Sequence, residues 1–81
     1  MRIYQVKYEG VNRKYEVCIC SKLSAAILQV SKCLANLDDE LDDVMVYVYD
    51  LDYFTQTFEL SSEFYGFSIL DRKRVENWYE W

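Results

Sequence analysis

The first twenty residues alternate between apolar and polar positions, which is typical of half-buried β-strands. Two such runs, Arg2–Tyr8 and Arg13–Cys20, are separated by the short segment Glu9–Asn12. Within that segment, Gly10 and Asn12 tolerate the positive φ angles that tight hairpin turns require. The pattern therefore predicts an N-terminal β-hairpin. The alternation places Tyr4, Val6 and Tyr8 on one face of the first strand. It likewise places Tyr15, Val17 and Ile19 on one face of the second.

The spacing of apolar residues changes to three or four after Ser21, which indicates an amphipathic α-helix. The apolar stripe comprises Leu23, Ala26, Ile27, Val30, Cys33 or Leu34, and Leu37. Ser21 is the predicted N-cap, because its hydroxyl can accept a hydrogen bond from a first-turn N–H. A helix that ends near Leu37 is roughly 22 Å long, about the length of a seven-residue strand. It can therefore lie across one face of a sheet.

Segments rich in β-branched and aromatic residues follow the helix and predict further strands. These strands are Val44–Tyr49, Tyr53–Leu60 and Phe64–Leu70, with breaks at Asp50–Asp52 and Ser61–Glu63. Asp71 is the predicted cap of a short helix that runs through Trp78. The chain, residues 1–81, is thus predicted to be one α+β domain with the element order ββαββ(β)(α). Its sheet is expected to be mostly antiparallel and packed on one helix.

Charge is divided unevenly along this chain, whose formal net charge is −5. Residues 1–32 are basic overall, whereas residues 33–70 contain no Lys or Arg. The carboxylates of this acidic block are Asp38, Asp39, Glu40, Asp42, Asp43, Asp50, Asp52, Glu59 and Glu63. Those from Asp38 to Asp43 follow the negative end of the helix dipole, where local stability does not explain them. Such asymmetry bears on partners and encounter rates rather than on the fold.

Several kinds of catalytic and metal site lack their usual residues in this sequence. There is no His, the commonest general base, and two glycines are too few for a phosphate-binding loop. Cys18, Cys20 and Cys33 lack an evident fourth zinc ligand and are expected to pack beside the helix. Calcium-loop spacing counted from Asp38 fails, because Tyr49 stands where the bidentate Glu is needed. We therefore expect a protein that is not an enzyme and holds no metal or cofactor.

The sequence also predicts a cytoplasmic location. No apolar run approaches the length of a membrane span, and the segment Met1–Lys7 lacks the apolar core of a signal peptide. The three cysteines, an odd number, suit reduced thiols better than a disulfide framework. Both observations fit the cytosol.

The acidic block has a spacing that suggests a nucleic-acid-like surface. Carboxylates two residues apart on a strand are separated by about 6.6 Å. That is close to the rise of two phosphates along one nucleic-acid strand, at about 3.4 Å each. The predicted partner is therefore a basic nucleic-acid-binding protein, with aromatic contacts from Tyr47, Tyr49, Tyr53 and Trp81 beside the carboxylates. A solvated surface that aids solubility is the alternative explanation of the same charges.

A short, acidic, His-free α/β chain containing Asp38-Asp39-Glu40-Leu41-Asp42-Asp43 resembles small phage-encoded inhibitors, including anti-CRISPR proteins and other DNA mimics. The resemblance lies in the profile of the whole chain rather than in a motif. It implies a stoichiometric inhibitor that blocks the nucleic-acid-binding site of a host defence complex, such as a CRISPR effector. It implies no particular fold, because members of that class share none.

Two other functions fit parts of the sequence. An exposed edge strand, or the C-terminal aromatics within Trp78–Trp81, would suit a small homo-oligomeric or accessory module such as a homodimer. A basic patch formed by Lys7, Arg13 and Lys14 on the hairpin would suit nucleic-acid binding instead. The aromatics of the acidic block would then meet phosphate repulsion, which makes nucleic acid the more distant alternative.

Overall fold

A four-stranded sheet with a helix across one face forms the framework of the protein, in a computed structural model that describes residues 1–37 and 39–76. Its elements are β1 (Arg2–Glu9), β2 (Lys14–Cys20), α1 (Leu23–Ala35), β3 (Asp43–Asp52), β4 (Thr57–Phe67), a 3₁₀ turn (Ile69–Asp71) and α2 (Arg72–Glu76). The strand order is β2-β1-β3-β4, and each neighbouring pair is antiparallel. The predicted α+β class, with an antiparallel sheet packed on a helix, is confirmed.

The core lies between α1 and the adjacent face of the sheet. On β3, Val44, Val46 and Val48 alternate toward α1 and are fully buried. The buried residues of the core cluster are Val6, Ala26, Ile27, Val30, Leu34, Leu37, Val44, Val46, Phe67 and Val75. The predicted apolar stripe of α1 is confirmed, since Leu23 and Cys33 pack against the same cluster.

The opposite face of the sheet is uncovered in the part of the chain that the structure describes. We call it the open face, and it carries Ile3, Gln5, Lys7 and Glu9 of β1, Glu16 and Ile19 of β2, Met45, Tyr47, Tyr49 and Leu51 of β3, and Phe58, Leu60 and Phe64 of β4. Several of its apolar side chains are largely exposed, among them Ile19 (55%), Leu60 (60%) and Phe64 (60%). One helix covers one side of a sheet, so these positions are left to solvent or to a partner.

The predicted N-terminal hairpin is confirmed, but its faces do not all follow the alternation. The register shifts after Val6, which makes Val17 an extra residue on β2. Beyond the shift, Cys18 pairs with Val6 on the α1 side, and Ile19 lies on the open face. Tyr15 and Val17 share the α1 side as predicted, but Ile19 does not, because one extra residue reverses the face of those beyond it.

Gly10 is required at the hairpin turn by space rather than by its backbone conformation. Neither Gly10 nor Asn12 has a positive φ, so that prediction is wrong. A Cβ on Gly10 would lie 2.7 Å from Tyr8 Cε1 and 3.1 Å from the carbonyl oxygen of Arg13. The N–H of Gly10 donates a hydrogen bond of 2.8 Å to the same oxygen. Glycine thus permits the close approach of the two strands at the turn.

β3 is longer than its sequence pattern predicts. The predicted turn at Asp50–Asp52 is wrong, because Asp50 pairs with both Arg2 and Glu59 and continues the ladder. The turn lies instead at residues 53–56, where Gln56 adopts a left-handed conformation with φ of 57°. Pairing on both sides of β3 outweighs the local preference of Asp for turns.

β4 is one strand where the sequence predicts two. The predicted break at Ser61–Glu63 and the separate fifth strand from Phe64 are wrong, since β4 is continuous over eleven residues. The serines instead mark an irregularity, where the pairing shifts between Tyr47 and Tyr49 of β3. A strand accommodates extra residues of this kind as a bulge.

The boundaries of α1 differ from the prediction by one or two residues. Lys22 is the N-cap, with an extended backbone and no side-chain hydrogen bond, so the predicted Ser21 cap is wrong. The helix ends at Ala35 rather than near Leu37. The side-chain amide of Asn36 donates to the carbonyl oxygen of Lys32 (3.1 Å) and satisfies one of the last helical carbonyls.

The C-terminal helical segment begins with a capping box. The hydroxyl of Ser68 accepts a hydrogen bond from the N–H of Leu70 (3.3 Å), and Asp71 accepts one from the N–H of Ser68 (2.8 Å). The N-cap is therefore Ser68, and Asp71 is its partner in the box rather than the cap that we predict. The predicted helix end at Trp78 lies outside the described residues.

Candidate protein-binding surface

β3 separates the carboxylates of the acidic block into two groups. The loop carboxylates are Asp39, Glu40, Asp42 and Asp43, and the turn carboxylates are Asp50, Asp52, Glu59 and Glu63. β3 is ten residues long, about 30 Å at 3.3 Å per residue, and its two ends belong to different groups. Asp38 lies outside the described residues. The acidic block is thus two patches at opposite ends of the sheet.

The loop carboxylates hold their own loop against the hairpin. Asp42 accepts a hydrogen bond from the hydroxyl of Tyr8 and another, of 3.0 Å, from the N–H of Val11. These two donors hold the pKa of Asp42 below its ordinary value, and the same carboxylate raises the pKa of Tyr8. Asp39 accepts from the N–H of Leu41 at 2.9 Å. Local stability therefore accounts for part of this group, contrary to the expectation from the helix dipole.

The turn carboxylates lie on the α1 side of the sheet. Asp50 of β3 stands directly opposite Glu59 of β4. Arg2 reaches both Asp50 (Nε to Oδ1, 2.8 Å) and Glu63 (Nη1 to Oε2, 2.6 Å). The charge of Asp50, and then that of Glu63, raises the pKa of Arg2. The guanidinium thus pairs with two of the four carboxylates, and the N-terminal ammonium donates to the Tyr53 hydroxyl in the adjoining turn (3.2 Å), so the group keeps a net negative charge.

A shallow cleft and an exposed turn adjoin the turn carboxylates. The cleft has a volume of about 260 Å³ and is lined by Asp50, Leu51, Asp52, Glu59, Leu60 and Ser61. Asp52 shapes the turn by accepting hydrogen bonds from the N–H groups of Phe54 (2.9 Å) and Thr55 (3.4 Å). Tyr53 and Phe54 project from that turn and are 71% and 97% exposed. Negative and aromatic groups therefore stand side by side at this corner.

The predicted aromatic contacts are distributed over both sides of the sheet. Tyr53 lies beside the turn carboxylates, whereas Tyr47 and Tyr49 lie on the open face. The Tyr47 hydroxyl donates to Glu9 Oε1 at 2.6 Å, and the Tyr49 hydroxyl donates to Gln5 Oε1 at 3.0 Å. The hydrogen bond to Glu9, followed by burial, raises the pKa of Tyr47 to about 12. Both rings thus lean toward β1, and the predicted Trp81 lies outside the described residues.

Sequence reasoning missed an apolar strip along β4. Phe58, Leu60 and Phe64 share the open face, on the outermost strand of the sheet. Their exposed fractions are 42%, 60% and 60%. The sequence does indicate an exposed apolar surface, because the chain contains more apolar strand positions than one amphipathic helix can cover. What the sequence pattern does not show is that these three side chains leave the core together.

The three basic residues of the predicted patch are divided between the two sides of the sheet, with Lys7 and Lys14 on the open face and Arg13 on the other. Lys7 lies on the open face, with Nζ 5.7 Å from the centre of the Tyr47 ring. Arg13 instead lies over the stacked rings of Tyr8 and Tyr15, on the α1 side, at 5.7 Å and 5.9 Å. This division weakens the case for direct nucleic-acid binding, which needs a continuous positive groove.

The three cysteines pack against the core cluster beside α1, as predicted. Cys18 and Cys20 project from the same side of β2, with their Sγ atoms 3.6 Å apart. Burial, followed by the contact with Cys20, raises the pKa of Cys18 to about 11. Burial also raises the pKa of Cys33. The Cys18 thiol is therefore protonated at neutral pH. Within the described ranges no group of His, Cys, Asp or Glu could hold a metal ion.

Comparison with protein-family models, curated proteins and solved structures found no match for this chain. Neither helix in residues 1–37 and 39–76 is long and apolar enough to cross a membrane. The turn carboxylates and the open face are the surface features from which a function can be inferred.

Proposed function

We propose that this protein is a non-enzymatic binding domain that uses the turn carboxylates to occupy a basic, nucleic-acid-binding surface of another protein. One observation carries the proposal: Asp50 and Glu59 stand opposite each other on neighbouring strands. Like charges in directly opposite positions destabilise a sheet. Arg2 pairs with Asp50 and Glu63, which leaves the group with excess negative charge. A cost of this kind is consistent with selection for recognition of a cationic partner.

The spacing of the turn carboxylates supports mimicry of a phosphate backbone. Asp50 and Asp52 lie on one side of β3, about 6.6 Å apart along the strand. Glu59 adds a charge about 5 Å away across the pair of strands. Successive phosphates of a nucleic-acid strand advance by about 3.4 Å each, so two steps match the first of these spacings. A groove of Lys and Arg that normally tracks phosphates would meet charges at similar positions.

The exposed turn supplies the apolar part of such an interface. Interfaces combine a desolvated aromatic centre with a polar rim. Tyr53 and Phe54 provide exposed rings next to Asp52. The loop carboxylates, at the other end of β3, add long-range attraction that raises the rate of encounter with a basic partner. The best-fitting class of function is a phage or mobile-element inhibitor that acts on a host defence complex, anti-CRISPR proteins included.

Competition with DNA tests the proposal directly. Purified RNA-guided nuclease complexes are incubated with a labelled target duplex and with increasing amounts of this protein, and DNA binding is followed by gel shift. We expect stoichiometric displacement that weakens steeply from about 50 to about 200 mM salt, since the contact replaces phosphates. If no complex in the panel loses its DNA at any salt concentration, the proposed target class is wrong.

Charge reversal separates the turn carboxylates from negative charge in general. Glu59→Lys should abolish displacement, because it inverts the charge at the centre of the turn group. Glu40→Lys changes the net charge equally at an exposed position of the loop group, and it should slow association while leaving displacement intact. Equal loss of activity in both variants would show that overall charge, rather than this patch, is responsible.

A further inference from the structure

β4 closes one edge of the sheet and is unusually open to pairing. Its inner side pairs with β3, and the described residues place no strand along its outer side. It is the longest strand, at eleven residues, and it contains neither Pro nor Lys. Soluble proteins commonly use those residues, and also bulges, to prevent pairing at exposed edges. The bulge of β4 is confined to residues 61–63 and leaves the regularly paired segments 57–60 and 64–67 on either side. The outer side of β4 is therefore suited to receive another strand.

The apolar strip of Phe58, Leu60 and Phe64 adjoins this edge. The three side chains are 42%, 60% and 60% exposed. Taking about 150–250 Å² for a buried aromatic side chain, the strip leaves about 300 Å² of apolar surface in water. A strand added beyond β4 would place its own open-face side chains against this strip. Solvent exposure of the strip is thus costly in the isolated chain and would be relieved by sheet extension.

We propose that two copies of the chain pair β4 with β4, antiparallel, about a two-fold axis at Ser62. Residues equally distant from Ser62 then face each other, which pairs the whole strand from Thr57 to Phe67. Leu60 of each copy meets Phe64 of the other on the open face. Each apolar contact occurs twice, as an isologous interface requires.

The same register gives the remaining residues of β4 compatible partners in the second copy. Phe58 meets Gly66, an arrangement in which an aromatic ring covers a glycine across a strand pair. Glu59 meets Tyr65, and Glu63 meets Ser61, so no carboxylate faces another. The pattern is therefore self-complementary along both faces of the sheet.

Neighbouring registers that keep the open faces together are less favourable. An axis at Ser61 would place Glu59 against Glu63, and an axis at Glu63 would place that residue against its own copy. Like charges in opposite positions destabilise such pairs. Next to the axis, the N–H of Glu63 already donates a hydrogen bond to Ser61 Oγ (3.1 Å). The axis region therefore needs few ladder bonds, and the two outer halves of β4 carry the pairing.

A second copy is favoured over a strand from an unrelated protein by this symmetry of charge and shape. The contact would bury about 1,000 Å² in total, at the low end of specific interfaces. We therefore expect a reversible dimer at micromolar concentration rather than a permanent one. The inference does not rest on the proposed inhibitor function, because the apolar strip is on the open face. Glu59 and Glu63 nevertheless belong to both surfaces, since they lie on β4 itself.

Sedimentation velocity over a range of protein concentrations tests the dimer. The mass should rise toward twice that of one chain and should persist at high salt, because the central contacts are apolar. Leu60→Lys should weaken dimerisation by at least about tenfold, since each copy loses a buried leucine. Ile19→Lys is the matched control, because Ile19 is 55% exposed on the same face at the other edge, and this variant should dimerise like the wild type.

Cross-linking tests the register separately. Ser62→Cys should form a disulfide between two copies under mild oxidation, because position 62 meets itself at the axis. Thr57→Cys is the control, since that position faces residue 67 of the other copy and should cross-link no more than the native cysteines do. A wild-type protein that stays monomeric, equal dimerisation of the Leu60 and Ile19 variants, or equal cross-linking at positions 57 and 62 would each overturn the proposal.

Discussion

The hydroxyl of Tyr8 donates a hydrogen bond to Asp42, which joins the first strand to the loop that leads into β3. The same carboxylate accepts from the N–H of Val11, within the hairpin turn. Asp42 therefore links its loop to two neighbouring points of the N-terminal hairpin, which is distant in sequence. Its negative charge belongs to the structure of this end of the molecule as well as to its surface.

Asp42→Asn should destabilise the protein near neutral pH and have little effect in acid. The pKa of Asp42 is lowered in the folded state, so its stabilising contribution is present above the ordinary value of 3.8 and is lost as the pH falls through the lowered pKa. Urea unfolding midpoints of wild type and variant should therefore converge well below pH 3.8. Glu40→Gln, an exposed neighbour in the same loop, is the control. A gap that does not change with pH would contradict the assignment.

Tyr47→Phe should show the opposite pH dependence. The hydrogen bond from Tyr47 to Glu9 raises the pKa of the phenol from 10.0 to about 12 in the folded protein. The resulting stabilisation is present below pH 10 and is lost as the pH rises toward 12. The variant should thus be less stable than wild type at neutral pH, and the two urea midpoints should approach each other across that alkaline window. Tyr15→Phe is the control, because Tyr15 is 46% exposed and its hydroxyl makes no hydrogen bond within the described residues, so this variant should leave stability nearly unchanged.

Arg72 is expected to stabilise the end of α1 from a distance in sequence. Its Nε and Nη2 atoms donate to the carbonyl oxygens of Leu34 and Leu37, each at 2.8 Å. Arg72→Met should cost about 1.5–3 kcal/mol, the usual range for hydrogen bonds from a charged group. Arg72→Lys should recover part of this, because an ammonium lacks the planar fork that reaches both carbonyls. Lys73→Met changes the same charge at an exposed neighbour and should shift the thermal midpoint little.

Gly10→Ala should destabilise the protein more than Gly66→Ala does. At Gly10 the added Cβ would meet Tyr8 Cε1 at 2.7 Å and the Arg13 carbonyl at 3.1 Å, and overpacking of this kind costs about 1–3 kcal/mol. At Gly66 the nearest atom is the Sδ of Met45 at 3.2 Å, in a flexible side chain that can move. Thermal unfolding of both variants measures the difference, and similar losses would show that the hairpin turn can relax.

Periodicity was sufficient wherever one face of an element is buried. The alternation of Tyr4, Val6 and Tyr8 correctly assigns their face of β1, and the three-to-four spacing in α1 correctly assigns its buried stripe. It failed where an extra residue changes the phase, as Val17 does in β2. The sequence of a single strand does not predict such a bulge, because a bulge depends on pairing with the neighbouring strand.

The missed continuity of β4 has a similar cause. Ser61 and Ser62 are ordinary turn residues, and only the length of β3 shows that they lie within a strand. The carboxylates were all identified from the sequence, but their separation into two groups depends on how far β3 extends. Local patterns carry no information about that distance, so the position of Glu59 opposite Asp50 could not be predicted.

The strand order has a consequence for how the chain acquires its structure. β1–β2 and β3–β4 are each joined by a short turn. β1 and β3 also pair, although β2 and the whole of α1 lie between them in sequence. The sheet thus consists of two local hairpins joined by the non-local pairing of β1 with β3. The Arg2 side chain connects these two strands at one end of the pair. The pairing of β1 with β3 requires the ordering of the longest intervening segment, so this step should limit the folding rate. Val46 lies on β3 where that strand pairs with β1. Val46→Ala should therefore slow refolding in stopped-flow measurements more than substitutions within either turn.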